Sequence, residues 1–378
     1  MPAHSTQPVI RVDVPSPTAD KPQSKLCYTE GSWWALLPKS TGPSLWQRSA
    51  AGWTEHPEIA AQLKGVPGRA DVWGEKGKIT AVGVDPEFLT VFRIEKKGTP
   101  EKVKWKTSIL ATLRPPSSDY PIETATIAKA QNGSWWVAAV ADEKVYVWNN
   151  LAKAKRWSSP YLLAEGLDKD DICVITELPD GVGVIWSNQI QETVNIRIHK
   201  TGSPVNEWNE ATTIEAGNAT ADDHLNTALA PDGTLWVATK NSLDEVGKPQ
   251  LVLRVRSPKG EWRNYPYAVL APPDLPSRPI VVATEDPEIV LTGHTIYHNK
   301  QPNLGKIVFG QIDTTQTEIV KNEKVVIAPY TAGWDENNRI NDVTGPKKPY
   351  PLGVPWIILA SDREGQVYEA DLRPLIRH

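Results

Sequence analysis

The sequence predicts an all-β fold, a seven-bladed β-propeller of four-stranded antiparallel blades, from its repeats and its composition. A strand-like segment recurs along the chain; its clear copies are GSWWALLP (31–38), GSWWVAAV (133–140), DGTLWVAT (232–239) and VPWIILAS (354–361), and weaker copies begin near residues 75, 179 and 286. Seven units spaced by about 50 residues match the period of propeller blades. The 33 prolines and 25 glycines favour frequent turns over long helices.

The blade at residues 222–268 shows the expected pattern most completely. DHLNTALA alternates as an innermost strand, PDG forms a tight turn, and TLWVATK is the second strand. QLVLRVRS and EWRNYPYAV follow as the third and fourth strands. Four antiparallel strands joined by short turns make one blade.

The chain ends suggest how the propeller closes. The last unit runs out after its third strand, and PVIRVDV, residues 8–14, reads as an isolated strand. We expect this strand to complete the last blade and close the ring. The prediction is one propeller domain over residues 1–378, with a Pro-rich linker at 15–30 after the closing strand.

The aromatic content fits sheets that pack face to face, with 16 Trp and 10 Tyr but only 3 Phe. Four tryptophans lie near the predicted fourth strands: Trp53, Trp105, Trp157 and Trp208. We expect them to pack between neighbouring blades rather than to stack on sugars.

The charge and hydropathy of the chain limit the classes of binding partner that are expected. The formal net charge is −4 with scattered Lys and Arg, so no basic surface for nucleic acid is expected. No run of 18 apolar residues occurs, which predicts no insertion into a membrane. The N-terminal residues lack the pattern of a signal peptide, so a cytoplasmic location or export without a leader is expected.

The sequence predicts neither a cofactor nor a metal. Cys27 and Cys173 have no metal-ligand spacing, and they are either free buried thiols or one disulfide. His294 and His298 are four residues apart, but the surrounding pattern is strand and loop, so a zinc site on a helix is not expected. No phosphate-binding loop, GxSxG or HExxH motif occurs.

Residues 215–370 resemble the sialidase-like, BNR-type propellers of bacterial and phage-associated proteins. The resemblance lies in DDHLNTALAPDGTLWVATKNS, RVRSPKGEW, SRPIVV and WIILASDREGQVY. APDGTLW keeps Asp232, Gly233 and Trp236 of the Asp-box pattern but lacks its leading Ser and its Thr-Trp pair. The resemblance therefore implies the fold and does not imply sialidase activity.

Polar residues at the starts of innermost strands predict a ligand site. In a blade, the start of the first strand and the end of the second lie on the same face, so these side chains should converge at one mouth of the channel. The candidate ligand-binding residues are Asp222, Asp223, His224, Asn226, Lys240, Arg278, Asp171, Tyr120 and Arg339. Capping of the strand start is an alternative role for Asp222 and Asp223.

Three functions remain open from the sequence. The first is recognition of a glycan or another polar ligand without catalysis. The second is an enzyme: a polysaccharide lyase using His224 with an Arg and a Tyr, or a glycoside hydrolase using a carboxylate pair such as Asp222 with Asp171. The third is a structural or assembly propeller that binds protein partners.

Overall fold

The computed structural model describes residues 7–98, 104–117, 119–150, 156–217, 219–220, 222–243, 245–298, 301–328 and 339–376, with the backbone alone at 301–304. In these ranges the chain forms seven sheets of four antiparallel strands each. The helical elements described are α1 (Pro57–Gln62) and a 3-10 turn at Arg373–Leu375. The predicted all-β, seven-bladed β-propeller is confirmed.

The chain divides into two compact units. The N-terminal unit comprises residues 22–186 and 196–212, and the C-terminal unit comprises residues 1–21, 187–195 and 213–378. The single domain expected from the sequence stays a prediction.

The N-terminal unit contains the first three blades, whose strands follow one another in chain order. They are β2 (Leu26–Thr29), β3 (Ser32–Lys39), β4 (Gly42–Ser49) and β5 (Gly52–Glu55); β6 (Ala70–Glu75), β7 (Lys78–Val84), β8 (Leu89–Lys97) and β9 (Lys104–Leu113); β10 (Ala125–Lys129), β11 (Trp135–Ala141), β12 (Lys144–Asn150) and β13 (Tyr161–Glu165). The fourth blade, whose residues belong in part to each unit, contains β14 (Cys173–Leu178), β15 (Gly181–Asn188), β16 (Thr193–Lys200) and β17 (Thr212–Ala216).

The C-terminal unit contains the last three blades. Their strands are β18 (Leu225–Leu229), β19 (Leu235–Lys240), β20 (Pro249–Arg256) and β21 (Trp262–Val269); β22 (Asp274–Ala283), β23 (Val290–His298), β24 (Gln301–Ile312) and β25 (Val320–Ile327); and β26 (Val343–Thr344), β27 (Ile357–Ser361), β28 (Gln366–Asp371) and β1 (Ile10–Arg11). The four strands read from the sequence of residues 222–268 correspond to β18–β21.

The N-terminal strand closes the last blade, as predicted. β1 pairs antiparallel with β28, with Ile10 opposite Val367 and Arg11 opposite Gln366. The linker after β1 is shorter than expected, because β2 lies inside the predicted linker at 15–30. The sequence pattern concealed this four-residue strand, since it stands directly before the more conspicuous GSWW segment.

The repeated turn between innermost and second strands has a local cause. In the third blade, the side chain of Asn132 accepts a hydrogen bond from the backbone N–H of Ser134, and Asp232 accepts the same bond from Thr234 in the fifth blade. Gly133 and Gly233 stand between them with φ angles of 86° and 89°, which favour glycine. The recurrence of NGS and DGT therefore encodes one turn geometry.

Tryptophans join neighbouring blades within the N-terminal unit. The ring of Trp105 on β9 lies 5.1 Å from that of Trp34 on β3, and Trp208 lies 5.6 Å from Trp136 on β11, both edge to face. Edge-to-face contacts at these distances add to the stabilisation from burial. These two tryptophans therefore have the packing role expected from the sequence.

Cys27 and Cys173 are buried and free. Burial raises the pKa of the Cys27 thiol to about 12 and also raises that of Cys173. No helix within the described ranges is both long enough and apolar enough to cross a membrane.

Candidate functional site

His224 stands immediately before β18 and is held by two aspartates. Its Nδ1 atom is hydrogen-bonded to Oδ1 of Asp222 and is also paired with Oδ1 of Asp223. The residue is only 6% exposed. A carboxylate on one ring nitrogen fixes the orientation of the imidazole and its tautomer.

The other carboxylate oxygen of Asp222 contacts residues of β19 and of the loop that follows it. Lys240 Nζ, at the end of β19, donates to Asp222 Oδ2 at 2.6 Å, and Ser242 Oγ lies 3.2 Å from the same oxygen. The backbone N–H of Lys240 also donates to the carbonyl of His224. The register of β18 and β19 thus brings Lys240 to Asp222, as the sequence predicted for the two strand ends.

A lysine from the segment between β1 and β2 completes the environment of His224. Lys21 Nζ lies 2.5 Å from Asp223 Oδ2 and 3.1 Å from His224 Nε2. The same ammonium lies 3.4 Å from Nδ1, so the contact with Lys21 alone does not distinguish the two nitrogens. The two aspartate oxygens on Nδ1 can only accept, so the ring proton is assigned to Nδ1 and the lone pair to Nε2.

Arg278, on β22, belongs to a second group of polar side chains. The residue lies at an irregularity between Ser277 and Ile280, where the pairing register with β23 shifts, and its φ is 52°. A non-glycine residue in this region is strained, and such strain clusters at functional sites. The bulge directs the guanidinium out of the regular pattern of the strand.

The guanidinium of Arg278 binds Asp342 and Tyr297. Nε donates to Asp342 Oδ1 at 2.9 Å, and Nη1 is hydrogen-bonded to the Tyr297 hydroxyl. That hydroxyl donates in turn to Asn341 Oδ1, and the guanidinium carbon of Arg339 lies 3.9 Å from the Tyr297 ring centroid. Two arginines therefore contact one tyrosine.

The two groups are joined through the backbone of adjacent blades. Asn226 Oδ1, on β18, accepts a hydrogen bond from the backbone N–H of Val281 on β22 at 3.0 Å. Thr18, just before Lys21 in the chain, donates its hydroxyl to the carbonyl of Asp342 at 2.7 Å. Asn226 thus has a bridging contact, while its predicted role in ligand binding stays a prediction.

We refer to these side chains together as the charged cluster. Its members are Lys21, Asp222, Asp223, His224, Lys240, Arg278, Tyr297, Arg339, Asn341 and Asp342. All of them belong to the C-terminal unit. The cluster holds four cationic residues and three aspartates.

The charges within the cluster act on one another. Burial works to raise the pKa of Asp223, but hydrogen bonding to His224 and the charge of Lys21 hold it well below its usual range. Burial works to lower the pKa of Arg278, while Asp342, Tyr297 and Asp223 raise it above its ordinary value. The effect of Asp223 on Arg278 couples the two groups electrostatically.

Tyr297 remains a proton donor at neutral pH. Burial raises the pKa of its hydroxyl to about 12, against the opposing charges of Arg278 and Arg339. A phenol held in this way can donate a proton to an oxygen that develops negative charge.

Asp222, Asp223 and His224 could also be considered as metal ligands. One ligand atom from each lies within 4.8 Å of the others. The ammonium groups of Lys21 and Lys240, however, already bind the carboxylate oxygens. A cation would have to displace both lysines, so this donor set does not fit a metal well.

The other two sequence candidates lie in the N-terminal unit. Tyr120 is 47% exposed, and its backbone N–H donates to Asp142 Oδ1 at 2.9 Å. Asp171 is 2% exposed and accepts a hydrogen bond from the backbone N–H of Asp168 at 2.6 Å. Their participation in ligand binding stays a prediction.

Sequence reasoning did not single out Lys21, Tyr297 or Asp342. Lys21 lies in the segment that was expected to be a linker, and Tyr297 lies inside a strand pattern that reads as structural. The useful signal for Tyr297 is the run HTIYH, which alternates polar and apolar residues near the end of β23.

Neither a protein-family model nor a curated protein matches this chain. Among solved structures, the chain is similar to a Penicillium chrysogenum α-L-arabinanase complexed with arabinobiose, at 12% identity over 83% of this chain and 99% of that one, with a TM-score of 0.48. It is also similar to the polysaccharide lyase Uly1, at 8% identity over 94% and 91% of the two chains, with a TM-score of 0.48. A Trypanosoma rangeli sialidase in complex with 2,3-difluorosialic acid is similar at 12% identity over 81% of this chain and 58% of the sialidase, with a TM-score of 0.47. The chain is a seven-bladed β-propeller by the arrangement of its own seven sheets.

Proposed function

We propose that the charged cluster binds an acidic polysaccharide and cleaves it by β-elimination. The observation that carries this proposal is the Asp222–His224 pair, in which Nδ1 is bound by carboxylate and Nε2 is an acceptor, together with the electrostatic effect of the adjacent Asp223 on Arg278. Cleavage of a uronate chain needs a base, a proton donor and a cation for the carboxylate. The cluster contains all three.

His224 is the base in this proposal. Its Nε2 takes the proton from carbon 5 of the uronate, and the electron pair left behind forms the double bond between carbons 4 and 5. The bond from carbon 4 to the bridging oxygen breaks at the same time. Asp222 stabilises the imidazolium that forms, as the carboxylate does in a Ser-His-Asp triad.

Lys21 has to leave Nε2 before His224 can accept a proton. Its ammonium group is part-buried and donates to both Asp223 and His224. A uronate carboxylate offers this ammonium an alternative partner. Substrate binding would then expose the lone pair of Nε2 and also neutralise the substrate.

In this proposal, Tyr297 protonates the departing bridging oxygen and Arg278 binds the substrate carboxylate. The Tyr297 hydroxyl gives its proton to the bridging oxygen, and its hydrogen bonds to Arg278 and Asn341 hold it in place. Arg278 and Arg339 favour negative charge in the same region. These assignments balance one proton taken up by His224 against one released by Tyr297.

The same geometry does not favour a hydrolase that uses Asp222 and Asp223. A glycosidase needs one carboxylic acid that is protonated at the working pH. Lysines pair with both aspartates, and the pKa of Asp223 is held well below its usual range by His224 and Lys21, against the effect of burial. Neither aspartate is placed to act as the acid.

Recognition without catalysis is the second candidate, and one observation favours it. The ring nitrogens of His224 are both occupied, by aspartates and by Lys21, in a residue that is nearly buried. A cluster so completely paired could bind an acidic glycan by exchanging ion pairs alone. Binding of a protein partner at this surface is the third outcome to be distinguished.

The test is incubation of the protein with polygalacturonate, alginate and chondroitin, followed by the ultraviolet absorbance of unsaturated uronate products. We expect one of these polymers to yield product, and His224→Gln to abolish it while binding is retained. His56→Gln is the matched control, because His56 contacts Glu58 and Gln47 outside the cluster. Binding without product in the wild type would support recognition, and no binding to any acidic polymer would contradict both glycan functions.

A further inference from the structure

Gly305 lies on β24 directly opposite Tyr297 of the charged cluster, because the two residues are partners in the pairing of β23 with β24. The φ angle of Gly305 lies outside the left-handed region, so its backbone conformation alone does not require glycine. A glycine inside a strand often marks a place where another part of the chain approaches closely. At Gly305 the approaching chain is the segment at residues 339–342.

This segment lies against Gly305 so closely that it leaves no room for a side chain. A Cβ atom at position 305 would clash with the carbonyl oxygen of Ile340 and would lie 3.2 Å from Cγ of Arg339. Non-bonded carbon atoms are in ordinary contact at about 3.5–4.0 Å, so an alanine would force the carbonyl outward by about 1 Å. The carbonyl belongs to the backbone, so it cannot move aside without moving the segment.

The same segment supplies three side chains of the charged cluster. The guanidinium carbon of Arg339 lies 3.9 Å from the centroid of the Tyr297 ring, and Asn341 Oδ1 accepts the hydrogen bond of the Tyr297 hydroxyl. Asp342 Oδ1 accepts a hydrogen bond from Nε of Arg278 at 2.9 Å. An outward movement of the segment would therefore disturb the contacts of both Tyr297 and Arg278.

Three hydrogen bonds hold the segment in place. Thr295 Oγ1 donates to the carbonyl of Asn341 at 3.1 Å, and the backbone N–H of Asn341 donates to the carbonyl of Ser361 at 3.0 Å. Thr18 Oγ1 donates to the carbonyl of Asp342 at 2.7 Å. These bonds oppose an outward movement, so an added side chain on β24 would lengthen or break them.

We infer that Gly305 is a positioning residue of the charged cluster. Its missing side chain lets the segment at residues 339–342 lie at the depth at which Arg339 stacks on Tyr297. The glycine acts through these side chains and does not itself contact a substrate. The placement of Arg339 does not depend on the proposed function, whereas an effect of Gly305 on turnover rests on it.

The contact between Arg339 and Tyr297 can be measured by NMR of the whole protein labelled with ¹³C-arginine. The ring current of an aromatic side chain shifts the methylene protons of an arginine stacked on it upfield. Arg339→Lys identifies the signal of Arg339, and Tyr297→Leu gives its position without the ring. We expect Gly305→Ala to remove at least half of the upfield shift.

Gly293→Ala is the matched control. Gly293 lies on β23, its φ angle is also outside the left-handed region, and a Cβ atom there would clash with the buried ring of Phe309. This variant should lose stability through overpacking but keep the Arg339 signal of the wild type. An unchanged signal in Gly305→Ala would overturn the inference. So would an equal loss of the upfield shift in the two glycine variants.

Thr295→Val tests the same segment without adding an atom that could clash. It keeps the shape of the side chain and removes the hydroxyl that donates to the carbonyl of Asn341. We expect a smaller loss of the upfield shift than in Gly305→Ala. Should Gly305→Ala fail to fold, an unchanged Arg339 signal in Thr295→Val would overturn the inference.

Turnover of an acidic polymer measures the catalytic consequence. If the polymer is cleaved as proposed, Gly305→Ala should lower kcat by about 10²-fold, the cost of misplacing a catalytic group by about 1 Å. Gly293→Ala should keep most of its kcat, and an unchanged kcat in Gly305→Ala would overturn the effect on catalysis. Absence of cleavage by the wild type would contradict the proposed function but not the NMR result, so the two proposals fail separately.

Discussion

Lys21 Nζ lies 3.1 Å from Nε2 of His224, although the two residues are 203 positions apart in the chain. The contact is made because the segment after β1 is tied to the last blade, where Thr18 Oγ1 and Ser361 Oγ share a hydrogen bond of 2.6 Å. The two aspartates on Nδ1 assign the ring proton to that atom, and Lys21 faces the lone pair of Nε2. The chemistry assigned to His224 depends on that assignment.

Replacement of both Asp222 and Asp223 by Asn should reverse the tautomer of His224, because both carboxylates lie on its Nδ1 atom. The amide groups would still fit, but an NH₂ can donate to Nδ1, so the imidazole would no longer present an acceptor at Nε2. If His224 is the base, we expect turnover to fall by about 10⁴-fold, the loss seen when the carboxylate of a Ser-His-Asp triad is replaced by an amide. Nitrogen chemical shifts of the histidine ring measure the tautomer directly. An unchanged tautomer in the double variant would contradict the assignment.

The stability of the protein should fall in mild acid because of His294. Burial, and then the charge of Lys306, lower its pKa from 6.5 to about 4. As the pH falls, His294 of the unfolded chain takes up a proton before His294 of the folded protein does. The neutral ring therefore contributes fully to stability above about pH 6.5, and this contribution is lost as the pH falls to about 4. The loss in unfolding free energy is roughly 3 kcal/mol. Urea unfolding of the wild type and His294→Asn at about pH 7 and about pH 4.5 checks this. The unfolding free energy of the variant should depend less on pH than that of the wild type. An equal decrease in both proteins between these pH values would refute the role of His294.

Arg254 should make Glu215 necessary for stability. Its side chain is fully buried on β20, is bound to Glu215 and donates to Thr239 Oγ1 at 3.1 Å; burial lowers its pKa to about 9. Glu215→Ala would leave this buried charge without its counter-ion, and we expect a loss of about 3 kcal/mol in unfolding free energy. Lys97→Ala breaks an exposed pair with Glu95 and should cost less than about 1 kcal/mol. Equal losses in the two variants would count against a special role for Arg254.

The closing strand can be tested with two adjacent residues. Ile10 is 4% exposed and Val9 is 42% exposed, so their truncation removes a buried and an exposed side chain from the same segment. We expect Ile10→Ala to lower the unfolding free energy by about 2–4 kcal/mol. Val9→Ala should change it by about 0.5 kcal/mol or less. Chemical denaturation of both variants measures the difference, and a negligible loss for Ile10→Ala would mean that β1 does not contribute to stability.

The repeat made the fold predictable, because each blade uses the same turns and the same alternation of apolar residues. NGS and DGT, for example, specify one turn through bonds that span two residues. The contacts between Asp222, His224 and Lys240 were also predictable, since adjacent strands of one hairpin bring them together. Lys21 and Tyr297 were not, because their contacts join segments that no local pattern relates. The bulge that directs Arg278 depends on pairing with β23 and has no clear sequence signal.

Closure of the last blade by β1 links folding to chemistry. The segment that follows β1 delivers Lys21 to Asp223 and His224, so the strand pairing and the charged cluster are completed by the same stretch of chain. Both ends of the described chain meet in one sheet. A partly folded molecule with β1 detached would therefore also lack the contact of Lys21 with His224. An incompletely folded C-terminal unit would thus have an incomplete site.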